Sequence, residues 1–466
     1  MTTPKHVSGS FRDPSGRIFV QDDRIFRTVN ECAIDNFSDV VNTGLLTDLV
    51  KSGALVDWED VTSEATDLAS MDRVVKVLEH PSLEMITYPY EWSFGALKAA
   101  ALAHLEIQIN AIDRNVVLSD ATAYNIQFQG PRPVFIDHLS FRMYQDGEFW
   151  VGHRQFCEQF LNPLLLRARC GIPHNDWVRG NLEGISNLSM ATVLPWFDRF
   201  KPRILTNVFM PAWFEGKKRK STNAEVAKSI ATRKMPVAGY RGMLCSLQNL
   251  IKSLNPPDVT TVWGDYADNT SYSTDETQKK RAMIAEFCGK LKPNIVWDIG
   301  CNTGEYSKVA LENGAHNAFG FEFDSGALEQ AYARAVKEEL AFFPLFMDVA
   351  NPSPSQGWNQ AERDGLSERR NANSVIALAV IHHMCIGRNI PLEAAVSWLV
   401  GHAPTGLIEF VPKNDPMVIE LLRLRDDVFD DYTNEHFDHC LLKTARIVKE
   451  ETITEHGRRL VWYERK

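Results

Sequence analysis

Ile295-Val296-Trp297-Asp298-Ile299-Gly300-Cys301-Asn302-Thr303-Gly304 reads as a buried strand that breaks at a glycine-bearing turn and runs into a helix. The apolar run ends in Asp298, Gly300 and Gly304; residues 305–313 suit a helix, and Gly314 stops it. Glycines at 300 and 304 remove Cβ where the backbone turns sharply and leave its amides open to a ligand, with the Asp298 carboxylate just beneath. A carboxylate in that place suits a cationic or polyol ligand better than a pyrophosphate. The dinucleotide pattern G-x-G-x-x-G is not met, because residue 302 is Asn. An ordinary strand-to-helix turn has the same residues, so the flanking sequence decides between the two.

Residues 318–323 form a second expected strand, with Glu322 and Asp324 at its end. A ribose diol is well held by a carboxylate accepting two hydroxyls, and Glu322 follows Asp298 at about the usual interval of ~20 residues. The alternative role for Glu322 is a salt bridge; Asp324 suits the cap of a following helix. Leu345-Phe346-Met347-Asp348 is a third strand ending in an acid, and Pro344 at its start fits only an edge position. After a polar insertion at 351–373, residues 374–381 are almost continuously apolar, as a central parallel strand should be, and end in His382-His383. A further strand at 406–411 carries Glu409 and leads to Lys413 and Asp415; strands at 445–452 and 459–463 close the chain around His456-Gly457.

The spacing acid, one residue, Gly, three residues, Gly at Asp298, Gly300 and Gly304 resembles the nucleoside-binding loop of class I S-adenosyl-L-methionine (SAM) dependent methyltransferases. That resemblance, with acids at three strand tips and the closing hairpin, covers about 200 residues. It implies an α/β domain built on a seven-stranded doubly wound sheet with an antiparallel closing hairpin, its third strand at the edge. It implies SAM as cofactor, bound by Asp298, Gly300, Asn302 and Gly304, with Glu322 on the ribose and Asp348 near the adenine amino group. His382 and His383 would then face the methyl end, where one neutral imidazole can take a proton from the acceptor; the alternative makes both hydrogen-bonded turn residues. Glu409, Lys413 and Asp415 are weaker substrate-site candidates. More narrowly, Tyr-Pro-Tyr-Glu-Trp at 88–92, the 120–137 segment, His382-His383 and Glu-Phe-Val-Pro-Lys at 409–413 resemble the two-part methyltransferases related to the nodulation protein NoeA.

In the first half, 17–20 and 24–29 predict a hairpin, 36–52 a helix and 83–88 a strand. Phe94, Leu97, Ala101, Leu105, Ile109 and Ile112 recur at helical spacing. Asp120, then Asn125 five residues on, then Asp137 after a Gly130-Pro131 turn resemble the catalytic centre of the protein-kinase-like fold, which implies an α+β domain. In that fold the first Asp handles an acceptor hydroxyl, and Asn and the second Asp hold magnesium on nucleotide phosphates. The pattern departs in three places: no His-Arg precedes Asp120, His138-Leu139 follows Asp137, and residues 1–80 hold no Gly-rich phosphate loop or evident partner lysine. The alternative is that Asp120 and Asn125 tie a loop. Residues 216–256, with Lys217-Lys218-Arg219-Lys220, read as a linker, and the aromatics at 263, 266 and 272 either cap a ligand or pack an interface.

Fifty basic against 60 acidic residues, a net charge of −10, give no bulk drive toward nucleic acid or an anionic membrane. No apolar run approaches the ~18 residues that span a bilayer, so a cytoplasmic protein without a membrane partner is expected. Eight scattered cysteines without a C-x-x-C pair predict reduced thiols and no metal site. The expected organisation is a kinase-like or substrate-recognition domain at 1–215, a linker at 216–256 and a methyltransferase domain at 257–466, moving a methyl group from SAM to an oxygen or nitrogen of a small molecule or glycan. The alternatives are a bifunctional protein whose first half transfers phosphate from ATP, and a non-catalytic SAM-binding regulator.

Overall fold

A computed structural model of the protein describes residues 3–218, 234–257, 274–369 and 372–466; the aromatics at 263–272 and Arg219 and Lys220 lie outside the described residues. In the first half, strands β1 (Ile18–Gln21) and β2 (Arg24–Asn30) form the expected hairpin. Helix α1 (Glu31–Asn42) follows, and β3 (Val74–His80) pairs antiparallel with β2. With the two-residue strands Lys5–His6 and Glu59–Asp60 at its margins, this makes a five-stranded antiparallel sheet. The helix expected over 36–52 is broken: α1 ends at Asn42, Gly44 turns left-handed, and a separate helix runs Leu45–Lys51. The strand expected at 83–88 is absent. The strand in this region is Val74–His80, and 83–88 satisfies its backbone with side chains: Thr87 N donates to Gln127 Oε1 at 2.8 Å and Tyr88 N to Glu91 Oε2 at 3.0 Å.

Helix α2 (Phe94–Ile112) is the axis of the first half and is buried along most of its length. Strands β4 (Val116–Leu118), β5 (Ile126–Gln129) and β6 (Arg132–Phe135) follow, β5 and β6 as a hairpin. Much of 216–256 is not a linker. Helix α3 (Val237–Ser253) buries Tyr240, Leu244, Leu247 and Ile251, and Gln108 of α2 donates to the Tyr240 hydroxyl at 2.8 Å. An amphipathic helix with a full apolar face is core material, whatever breaks the chain beside it.

The second half begins with α4 (Thr274–Leu291) and alternates strand and helix: β7 (Ile295–Ile299), α5 (Glu305–Glu312), β8 (Asn317–Glu322), α6 (Ser325–Lys337), β9 (Phe342–Phe346), β10 (Ser374–Ala377), α7 (Leu392–Gly401) and β11 (Thr405–Phe410). Helix α8 (Asn434–Thr444) leads into the hairpin β12 (Ala445–Thr452) and β13 (Arg459–Arg465). The sheet has seven strands in the order β9-β8-β7-β10-β11-β13-β12; five are parallel, and β13 is antiparallel to both of its neighbours. All five residues of β7 are buried, as a central strand requires, and Pro344 sits in β9 at the edge, where a missing N–H is tolerated. The strand expected over 374–381 stops at Ala377, because Ala379 adopts a left-handed φ of 51° and turns the chain into a helical segment.

The halves share one hydrophobic core. Phe128 of β5 stacks on Phe343 of β9 at 4.3 Å, Tyr332 donates to Pro131 O at 3.0 Å, and Arg369 and Glu91 form a buried ion pair.

Candidate functional site

A sheet wound in this order leaves a crevice outside the carboxyl ends of its parallel strands, at the point where the winding reverses. Here the reversal falls between β7 and β10, and a cavity of about 650 Å³ opens there. Its walls come from the ends of four strands: Gly300–Thr303 after β7, Glu322 and Phe323 at the end of β8, Met347 and Asp348 after β9, and Leu378–Val380 after β10. Close approach dictates the glycines. A Cβ on Gly300, at φ 75°, would lie 2.4 Å from Val380 Cγ2, and one on Gly304, at φ 76°, would lie 2.5 Å from Phe342 Cε1.

Of the residues singled out in the sequence, Gly300, Asn302, Glu322, Asp348, His382 and His383 all line this cavity. Asp298 and Gly304 do not. Asp298 is buried beneath the loop, where Ser307 Oγ donates to it at 2.6 Å and burial raises its carboxyl to about 6. Glu322 accepts from Asn302 N at 2.8 Å and from Asp324 N at 2.7 Å. Burial outweighs those donors and pushes Glu322 up to about 7. Asp324 caps α6 through Gly326 N and Ala327 N, at 2.8 and 2.9 Å. Asp348 accepts from Ala350 N at 2.9 Å and from Arg388 Nη2 at 3.0 Å.

The two histidines are not at a strand tip. They open the helical segment that follows the turn at Ala379, with their rings 4.1 Å apart. Burial and the nearby Arg458 lower His383 to about 4. Burial, with His383, Arg458 and Lys280 adding to it, holds His382 well below the usual imidazole range. Both rings are neutral near pH 7. His382 is almost fully buried, and its Nδ1 has no hydrogen-bond partner among the described residues.

Behind them lies a charged network that sequence reasoning missed in part. Lys280 Nζ donates to Glu409 Oε2 at 2.7 Å, Arg458 Nη1 lies 3.4 Å from Glu409 Oε1, and Arg458 holds Asp415 through two bonds of 2.6 and 2.8 Å. All four side chains are buried, but Lys280 and Arg458 reach the cavity wall. Glu409 and Asp415 therefore act on the cavity through these two cations, and Lys413 is directed away to Asp427 at 2.8 Å. A signal for Lys280 exists: it shares the face of α4 that carries Met283, Ile284 and Phe287, and a lysine on a buried stripe needs a carboxylate.

A second cluster forms in the first half. Asn125 Nδ2 lies 3.3 Å from each oxygen of Asp120 and 3.5 Å from Asp137 Oδ2. The residues missed there are Arg27 of β2, which donates to Asp137 Oδ1 at 2.7 Å, and Ser140, which donates to Asp120. Burial and then the neighbouring Asp137 raise Asp120 to about 6.

No protein-family model matches the chain. Among solved structures, it is similar to magnesium protoporphyrin IX methyltransferase from Synechocystis PCC 6803 with bound SAH (15% identical, covering 41% of this chain and 84% of that one, TM-score 0.30). It is similar also to N-methyltransferase NodS from Bradyrhizobium japonicum WM9 (10% identical, 42% and 98%, TM-score 0.30). Among curated proteins, it is 45% identical over 464 residues to nodulation protein NoeA of Rhizobium meliloti strain 1021, covering 99% of this chain and 96% of that protein. With such identity along nearly the full length of both, the chain belongs to the family of nodulation protein NoeA.

Proposed function

We propose that the protein is a methyltransferase that moves the methyl group of SAM to an oxygen or nitrogen of a small-molecule or glycan acceptor. One observation carries this reading: at the reversal point of the sheet a glycine turn and the half-buried carboxylate of Glu322 face one cavity, with Asp348 also on its wall. The donor set suits a nucleoside with a charged amino-acid tail. Glu322 keeps acceptor capacity for a ribose diol beside its two amide bonds, Gly300 lets the turn lie against Val380 on the cavity wall where a Cβ would clash, and Asp348 offers an acceptor for an exocyclic amine.

When bound, SAM supplies an activated methyl group and its own leaving group, so the chain's part is orientation, exclusion of water and proton removal from the acceptor. His383, neutral and on the cavity wall, is the base in this reading, and the more deeply buried His382 fixes its position. Lys280 and Arg458 donate hydrogen bonds to the acceptor from the cavity wall. The first half, taken as residues 1–215, is assigned to acceptor recognition in this reading, while the cavity wall itself is built from residues 277–458. Phosphotransfer there gains no support, since Asp137 already spends an oxygen on Arg27.

Calorimetric titration with SAM and its demethylated product tests this. Saturable binding is expected, weakened roughly 10- to 100-fold by Glu322→Gln, the size of a lost hydrogen bond to a charged group. Absence of binding to both would overturn it.

A further inference from the structure

Residues 192–214 form a helical layer on the first half whose inner row, Leu194, Ile204, Val208 and Ala212, is already buried in or against the core. Its outer row has no such reason to be apolar. Trp196 and Phe200 are 67% and 69% exposed, and Phe197, Leu205, Met210 and Phe214 stand exposed with them. Packed monomers scatter single exposed apolar residues; a run of aromatics on one surface layer marks a contact.

Charge identifies the partner. Asp198 is the sole acid in this stretch. It is fully buried, held by Arg169 at 2.9 and 3.0 Å and by Lys201 at 2.8 Å. Within 192–214 the exposed positions therefore carry Arg199, Lys201 and Arg203 and no carboxylate, and Glu215, next to Phe214, is paired with Arg154 at 3.5 Å, on a chain whose net charge is −10. Among the described residues neither Arg199 nor Arg203 has a carboxylate partner. A second copy joined across a two-fold axis would set this cationic face against itself. Residues 219–233 offer only Val226 and Ile230 as large apolar groups to cover it.

We propose that this layer lies on an anionic lipid bilayer, with Trp196, Phe197, Phe200, Leu205, Met210 and Phe214 entering the headgroup region while Arg199 and Arg203 meet the lipid phosphates. Aromatic rings flanked by cations are the composition of an interfacial, non-spanning contact. Among the described residues no helix is long and apolar enough to cross a membrane. The expectation of no membrane partner came from the bulk charge and the lack of a spanning run, neither of which bears on a surface-lying layer.

The test is co-sedimentation of the full chain with vesicles of phosphatidylcholine alone and of phosphatidylcholine and phosphatidylglycerol in equal parts, at low and high salt. Binding to the anionic vesicles, weakened by salt, is expected. It should fall by roughly tenfold in Trp196→Ser/Phe200→Ser and in Arg199→Glu/Arg203→Glu. Thermal melts of both variants, unchanged for solvent-facing substitutions, show that the fold is intact. No partition of the wild type, or equal partition of the variants, overturns the proposal. So does a wild-type dimer in sedimentation velocity that both variants abolish without any vesicle binding, which would assign the face to a second copy. A protein partner captured with the patch while vesicles are ignored overturns it equally.

Discussion

Glu322 is the residue at which burial and ligand chemistry oppose each other most directly. Its carboxyl, ordinarily near 4.5, is pushed up to about 7 by burial. Between those values the folded chain holds a proton that the unfolded chain has lost, so this group's contribution to stability declines as pH rises from 4.5 through 7. Hydroxyl donors from a ribose favour the ionised form, so SAM binding should expel that proton. The affinity should then fall as pH drops below about 7, and the binding heat near pH 6 should vary with the ionisation enthalpy of the buffer. Glu322→Gln should remove both dependences; their persistence in the variant would place the titration elsewhere. His383 has the opposite shift, lowered to about 4. At saturating SAM a base of that kind leaves no limb near the usual imidazole value in the pH–rate profile, kcat declining only as pH approaches about 4. His383→Ala should lower kcat by roughly 100-fold or more with little change in the SAM Kd, as expected for a lost general base.

Helix α2 shows how an element of one half is completed by the other. Its first two amides, Phe94 N and Gly95 N, donate to the carboxylate of Glu329 on α6, the second at 3.0 Å, and Ser93 Oγ accepts from Ala96 N at 3.0 Å. A carboxylate at a helix N-terminus meets the orphan donors and the positive end of the dipole together. Glu329→Ala should therefore cost about 1–3 kcal/mol in urea unfolding, the cost of donors left unpaired, and Glu329→Gln, with one acceptor oxygen for two N–H donors, should restore only part of it. Nothing in the spacing of α2 announces this partner, which lies 235 residues away. What could be read locally was read: the β7 strand and glycine turn, the α2 stripe, the β1–β2 hairpin and the closing pair β12–β13 each rest on a local pattern. Beside the 36–52 helix broken at Gly44, three further readings missed for physical reasons. Residues 83–88 look like a strand but exchange backbone bonds with Gln127 and Glu91. The apolar run 374–381 conceals a left-handed alanine. Helix α3 sits between chain breaks that suggested a linker, yet its apolar face is buried. In the cavity, Glu322 and Asp348 were legible because strand ends have periodic positions; Lys280 and Arg458 were not, because their roles depend on Glu409 and Asp415 arriving from other elements.

The two halves are joined by contacts of a kind found inside domains rather than between loosely docked ones. Phe128 on Phe343 and the Tyr332 bond to Pro131 hold β9 and α6 to the first half. The polar counterpart is Arg369 with Glu91: both are buried, Arg369 Nη1 donates to Glu91 Oε2 at 3.0 Å and to Ile86 O at 2.7 Å, and the cation lies 4.7 Å from the Tyr88 ring. A buried pair adds little over apolar replacement, but losing one partner strands the other charge away from water. Arg369→Ala should therefore cost about 3–5 kcal/mol. Arg369→Met with Glu91→Gln should recover much of that, since the Gln side chain can still accept from Tyr88 N. Shared packing of this extent predicts that the wild-type halves unfold in one transition, with tryptophan fluorescence and far-ultraviolet circular dichroism coinciding in urea. In Arg369→Ala the two signals should separate, because the pair sits where the Tyr88–Trp92 turn of the first half meets the second. Two separate transitions in the wild type would mean that the halves are independent domains and that the stranded charge is a local cost only.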